Sequence, residues 1–266
     1  MNTSPVKGES PQDSNKSNQP AFLTLPDGRR LAYVLSEGAS PGVVFLSGFK
    51  SDMTGTKAAA VEAFCRARGQ RCVRFDYTGH GQSSGVFTDG TIGDWKRDTI
   101  DIIDHIAPGK NILVGSSMGG WVMLLAALAR KEHIAGLVGI ASAPDFTETL
   151  LWDIATDAQK KELQEKGVTA APSCSGEEAY PITLRLIEEG RNHLLLKQAI
   201  ALDVPVRLLH GMMDEDVPWE VSVKLAQSLT SRDVQLTLVK DAGHRLSEPE
   251  HLALLMRAIE DVLSKA

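Results

Sequence analysis

The chain has 266 residues, 42% of them hydrophobic and 23% charged, and a formal net charge of −6. That is enough length for a large buried core and an ordinary composition for a globular protein. The acidic balance gives no electrostatic case for nucleic acid as a partner, and no apolar run approaches the roughly 20 residues of an integral membrane segment. Cys65, Cys72 and Cys174, an odd count without metal-ligand spacing, read as free thiols in a reducing compartment.

In chain order, residues 1–20 come first. They are rich in Ser, Asn, Gln and Pro and lack apolar periodicity, so they read as a disordered tail. They hold no apolar core like that of a signal peptide. They have no Arg and carry Glu9 and Asp13, unlike a mitochondrial leader, so the expected compartment is the cytoplasm. Residues 21–25 and 30–35 alternate around Pro26-Asp27-Gly28, a hairpin signal with Asp-Gly in the turn. From there the pattern changes. Apolar, β-branched runs at 43–46, 71–75, 111–114, 136–141, 206–210 and 234–239 are separated by segments of helical periodicity such as 56–68, 91–106 and 221–228. This predicts an α/β fold of about eight mostly parallel strands, with an antiparallel N-terminal hairpin and helices on both faces. The domain should span residues 21–266. About 60 residues separate the strand ending near Ala143 from the one at Val206, too many for a simple crossover. Helical patterns at 148–166 and 177–196, broken at 172–176, predict a helical cap inserted at about 145–203.

The richest stretch is Gly115-Ser116-Ser117-Met118-Gly119, between a predicted strand and the helix-like run from Trp121 to Ala127. A G-x-S-x-G in that setting reads as a nucleophile elbow. The tight turn exposes the central hydroxyl, glycines two before and two after relieve crowding, and the helix N-terminus favours developing negative charge. Ser117 is the candidate nucleophile. Ser116 lacks glycines at both offsets and reads as a spacer.

A serine attacking acyl carbon needs a base, a group that orients the base, and donors for the oxyanion. In this fold the order is Ser, acid, His. The acid lies in Gly211-Met212-Met213-Asp214-Glu215-Asp216-Val217-Pro218, directly after a strand. Asp214 is preferred for its place in the turn; Asp216 reads as a loop carboxylate or helix cap. Of the seven histidines, only His244 combines the required order with a strand-end position; His251 lies inside the final helical pattern. His80 and His210 read as structural residues. The oxyanion donors are expected to be the N–H of Met118 and that of Phe49, with Gly48 allowing close backbone approach.

On these residues the chain from about position 21 onward resembles an α/β-hydrolase. It is similar in particular to the abhydrolase-domain family that includes a mitochondrial S-depalmitoylase, an acyl-protein thioesterase also linked to acyl-glucuronide hydrolysis. The closer match is carried by Gly55-Thr56-Lys57-Ala58, Arg74-Phe75-Asp76-Tyr77, Gly120-Trp121, Val217-Pro218-Trp219 and His244-Arg245. The resemblance implies the same triad, Ser117, Asp214 and His244. It also implies a serine hydrolase of acyl thioesters or carboxylic esters, without metal or organic cofactor. The substrate would be an acyl ester or thioester, an acylated protein among the candidates. A generic carboxylesterase acting on small or glucuronide esters uses the same parts. A non-catalytic binding protein of this fold would be expected to lack a triad member or an elbow glycine, and all are present. An acyl slot would draw on the cap residues Phe146, Leu150, Leu151, Ile154, Leu184, Leu186 and Ile187.

Overall fold

Period-two alternation along the central strands divides their side chains between two cores. In a computed structural model describing residues 19–171 and 180–266, Val44, Leu46, Leu113, Leu137 and Leu208 enter one core. Val43, Phe45, Ile112, Val114, Val138 and Leu209 enter the other. Strands buried on both faces must be covered on both sides, and helices do so here.

The elements run β1 (Ala21–Thr24), β2 (Arg30–Ser36), β3 (Ala39–Leu46), α1 (Thr56–Ala67), β4 (Gln70–Phe75), α2 (Ile92–His105), β5 (Asn111–Ser116), α3 (Met118–Ala129) and β6 (Ile134–Ile140). After a π-helical turn (Thr147–Trp152) come α4 (Asp157–Lys166), β7 (Val168–Ala171), β8 (Tyr180–Thr183) and α5 (Leu184–Gly190). The chain closes with β9 (Val206–Gly211), α6 (Glu220–Ser228), β10 (Val234–Val239) and α7 (Pro249–Leu263).

Eight strands form one sheet in the order β1-β2-β4-β3-β5-β6-β9-β10. The β1–β2 and β2–β4 pairs are antiparallel, and every other pair is parallel. The expected N-terminal hairpin and parallel sheet are therefore present. Gly28 sits at φ 89° in the hairpin turn, a conformation that suits glycine. Helix α3 is buried all round from Met118 to Ala127, whereas α7 buries one stripe, Leu255, Ala258, Ile259 and Val262. Among the described residues no helix is long and apolar enough to cross a membrane.

The segment between β6 and β9 departs from the helical expectation. α4 stops at Gly167 (φ 74°), whose left-handed conformation caps its C-terminus. Val168–Ala171 then pairs antiparallel with Tyr180–Thr183. The β-branched Val168, Thr169, Ile182 and Thr183 favour extension, and Pro181 biases Tyr180 the same way. The predicted helix at 177–196 is thus a strand, a short α5 and a 3₁₀ turn at Arg191–His193. Most of the expected disordered tail, the break at 172–176 and Cys174 lie outside the described residues.

Candidate active site

Adjacent parallel strands end at one edge, and the loops leaving them converge there. Ser117 sits between β5 and α3 at φ 55° and ψ −119°, a strained conformation for a residue with a side chain. Three backbone bonds hold it: its N–H donates to Ile140 O (2.8 Å), and its carbonyl accepts from Gly120 N (2.9 Å) and Ala143 N (3.1 Å). The elbow glycines have steric reasons. A Cβ on Gly119 would strike the carbonyl oxygens of Leu46 and Ser47, and one on Gly115 would strike Gly119.

His244 lies in the loop between β10 and α7. Its Nε2 is 3.1 Å from Ser117 Oγ and its Nδ1 is 2.7 Å from Asp214 Oδ2. Both are within hydrogen-bonding distance. Since the Asp214 carboxylate only accepts, Nδ1 carries the hydrogen there and Nε2 is left to accept from the serine hydroxyl. The two loops are joined through backbone: Met212 N donates to Val239 O and Met213 N to Ala242 O, each at 2.9 Å.

Asp214 is a buried carboxylate satisfied by hydrogen bonds from the protein itself. Its side chain has no exposed surface. Oδ1 accepts the N–H groups of Asp216 (2.9 Å) and Val217 (2.8 Å), while Oδ2 accepts from His244 and from His210 Nε2 (3.1 Å). Burial alone would push its pKa up. The hydrogen bonds from His210 and His244, with the neighbouring imidazole charge and the Val217 N–H, outweigh it and hold the carboxyl well below the usual range. Asp216 is exposed and reaches Asp214 through its backbone N–H. The structure thus brings Ser117, His244 and Asp214 into one chain of contacts.

Phe49 and Met118 flank the same space. Met118 opens α3, where the first-turn N–H groups have no intrahelical acceptor. Phe49 follows β3 in a loop that approaches the elbow: a Cβ on Gly48 would lie 3.5 Å from Ser117 Cβ. That loop is tightly tied. Lys50 is at φ 59° and its N–H donates to His80 Nε2 (3.3 Å), while Met53 N donates to Asp76 Oδ1 (2.7 Å). His80 is buried among Tyr77, Phe87 and Trp95. Burial drives its pKa down to about 4, against the opposing pull of the Thr78 carbonyl and the Asp52 charge. The imidazole therefore stays neutral and able to accept from Lys50. His80 and His210, read from the sequence as structural, both hold loops of the site. The only hint in the sequence is that each stands beside a strand-end glycine turn.

Above Ser117 lies a cavity of about 680 Å³, inside the roughly 300–1,000 Å³ range of ligand sites. Phe146, Leu150, Leu151, Ile154 and Ile187 line it as expected. Leu184 and Leu186 do not. Leu186 faces the main core, and Leu184 packs against Leu163, Ile182 and Ile187. Their places are taken by Leu163, Tyr180 and Ile182, two of them on the unforeseen strand β8. At its polar end are Lys57, Glu215, Asp216 and Arg245. The Lys57 ammonium donates to the Arg245 carbonyl, and burial together with the Arg245 charge lowers its pKa to about 8. Metal-type donors come together at Asp214, Asp216 and His244, within 4.8 Å. Two of these three, Asp214 and His244, already bind each other, and Asp216 is exposed.

The α/β hydrolase family model matches residues 43–256. The chain is similar to the mitochondrial palmitoyl-protein thioesterase ABHD10 of Homo sapiens, with 44% identity over 92% of this chain and 80% of that protein. The Mus musculus protein is 42% identical over 92% of this chain and 82% of its own length. Two solved structures superpose closely. Mouse alpha/beta hydrolase domain-containing protein 10 gives a TM-score of 0.87 at 40% identity, covering 93% of this chain and 99% of that one. A putative hydrolase from Agrobacterium vitis gives 0.88 at 38% identity, covering 92% and 98%.

Proposed function

This chain belongs to the α/β hydrolase family, in the group that includes the mitochondrial palmitoyl-protein thioesterases, and from that premise we propose how it works and on what. It is an ester and thioester hydrolase. The observation carrying the proposed mechanism is the contact chain from Ser117 Oγ through His244 to Asp214, at 3.1 and 2.7 Å. His244 takes the proton of Ser117 as the hydroxyl attacks the acyl carbon. Asp214, held ionised, keeps His244 in the right tautomer and balances the imidazolium. The N–H groups of Met118 and Phe49 hold the oxyanion. His244 then protonates the departing thiolate or alkoxide, and water releases the acyl group from Ser117.

The apolar walls of the cavity support an acyl chain of medium or long length, and the similarity to ABHD10 supports an S-acylated protein as the acyl donor. The free, buried Cys65 and Cys72 suit a reducing compartment, for which we propose the cytoplasm; the mitochondrial relatives make cell fractionation the check. The substrate reading is tested with a series of acyl thioesters and oxygen esters from two to sixteen carbons. It expects kcat/KM to rise with chain length and to be higher for long thioesters than for acetyl esters. A preference for acetyl or glucuronide esters would favour a generic carboxylesterase.

A further inference from the structure

His210 is the last residue but one of β9 and has no exposed side-chain surface. A buried imidazole needs partners for both nitrogens, and here each has a defined one. Nε2 lies 3.1 Å from Asp214 Oδ2 and 2.9 Å from the Val217 carbonyl oxygen. Both of these groups only accept, so the hydrogen is on Nε2 and is shared between them. Nδ1 lies 2.6 Å from Ser222 Oγ on α6, which is also buried. The Ser222 hydroxyl therefore donates to Nδ1.

We infer that His210 is a positioning residue for the triad acid: locked by Ser222, it holds Asp214 Oδ2 where that oxygen meets His244. This rests on the reading of Ser117, His244 and Asp214 as the triad. The need for such a group follows from how Asp214 is held. Both N–H groups on Oδ1 come from the carboxylate's own turn, at Asp216 and Val217. They fix one oxygen and leave the carboxylate plane free to tilt about it. Oδ2 has two donors, His244 and His210. His244 is itself the group to be oriented, so it cannot also be the reference. His210 supplies an independent one, because Ser222 ties it to a different element. Its second acceptor, the Val217 carbonyl, belongs to the residue whose N–H binds Oδ1. One imidazole thus braces the 214–217 turn at two points, Asp214 Oδ2 and the Val217 carbonyl. His210 does not itself line the cavity, so its effect on the chemistry passes through Asp214 and its turn.

The test compares His210→Leu, His210→Gln and Ser222→Ala with the wild type and with Ser117→Ala. The readouts are kcat, KM, the rate of phosphonylation by a fluorophosphonate, and thermal unfolding. His210→Leu should lower kcat and the phosphonylation rate by about tenfold or more, the scale on which losing a supporting hydrogen bond behind an active residue acts elsewhere, with KM within about twofold. Gln can place an amide N–H near the Nε2 position, so His210→Gln should recover most of that loss. Ser222→Ala, which keeps the imidazole but loosens it, should fall between them. If His210→Leu does not fold, the Gln and Ser222→Ala variants carry the comparison. Folded variants with wild-type kcat and phosphonylation rates would overturn the inference while leaving the triad reading intact. A wild-type chain that reacts with no fluorophosphonate, or Ser117→Ala reacting as fast, would overturn the triad reading and this inference with it.

Discussion

At the sheet edge, His210 and Asp214 have no exposed side-chain surface, and their polar atoms are fixed by backbone groups, by each other and by the Ser222 and His244 side chains. In the insertion above them, Ile154 is 72% exposed, and the walls facing Ser117 are mainly apolar side chains from short elements. The first region fixes directions to within a hydrogen bond. The second provides area. On the proposed reading, reactivity depends on direction and chain-length preference on area, so the two properties should respond to substitutions in different parts of the molecule. The parts are joined by insertion residues that enter the main core, Phe146, Leu186, Leu195 and Leu196 among them, by Gly93 N donating to Glu189 Oε2 (3.0 Å), and by Trp121 Nε1 donating to the His193 carbonyl (3.0 Å).

The largest effect should come from the acid. Asp214→Asn would favour the wrong His244 tautomer and lower kcat by about 10⁴. Asp216→Asn should change it only a few-fold, because the exposed side chain is altered and the backbone N–H that binds Asp214 survives. Steady-state kinetics on one ester would decide, and the reverse order would move the acid role to Asp216.

The loop carrying Phe49 should show itself in acid. His80 has an ordinary value of 6.5 and is held at about 4 in the fold. Between these values the unfolded chain binds the extra proton, so stability is full above about pH 6.5 and falls as pH drops toward 4. The fall should be on the order of 3 kcal/mol for this buried group. The carboxyl of Asp214, held low, adds its own loss only at pH below this window. Urea titrations from pH 7 to 4 should show this slope, and His80→Gln should flatten it. An equal slope in the variant would assign the loss elsewhere.

A smaller change tests the elbow's packing. Gly119→Ala would press a Cβ into the backbone carbonyls of Leu46 and Ser47 and should cost about 1–3 kcal/mol of stability, read from denaturant midpoints, together with a fall in kcat. Unaltered stability and turnover would mean the crossing has slack. In the cap, Leu150→Ala or Leu151→Ala should cost about 1–2 kcal/mol in kcat/KM on long acyl chains, near tenfold, and little on acetyl substrates. Equal losses on both substrates would join the two regions that the comparison separates.

The same contrast explains what could be read in the sequence. Each of Ser117, Asp214 and His244 stands in a short turn directly after an apolar, β-branched strand, and such local patterns survive without knowledge of the fold. The eight-stranded sheet was legible for the same reason. The β7–β8 pair was not: its strands have four residues each, and their pairing depends on partners nine to fifteen residues apart. The exclusion of Leu184 and Leu186 from the cavity follows from that pairing. His210 was hidden for another reason. Its contacts with Ser222 and Val217 run side chain to side chain and side chain to backbone across twelve and seven residues, and a strand-end histidine carries no mark of them.

The central claim is that Ser117 is the nucleophile, and one measurement meets it directly. The wild-type protein is treated with a fluorophosphonate, digested, and the adduct located by mass spectrometry, alongside a folded Ser117→Ala variant. The account predicts a single adduct on Ser117 and none in the variant; an adduct on another residue, or undiminished modification of Ser117→Ala, would contradict it.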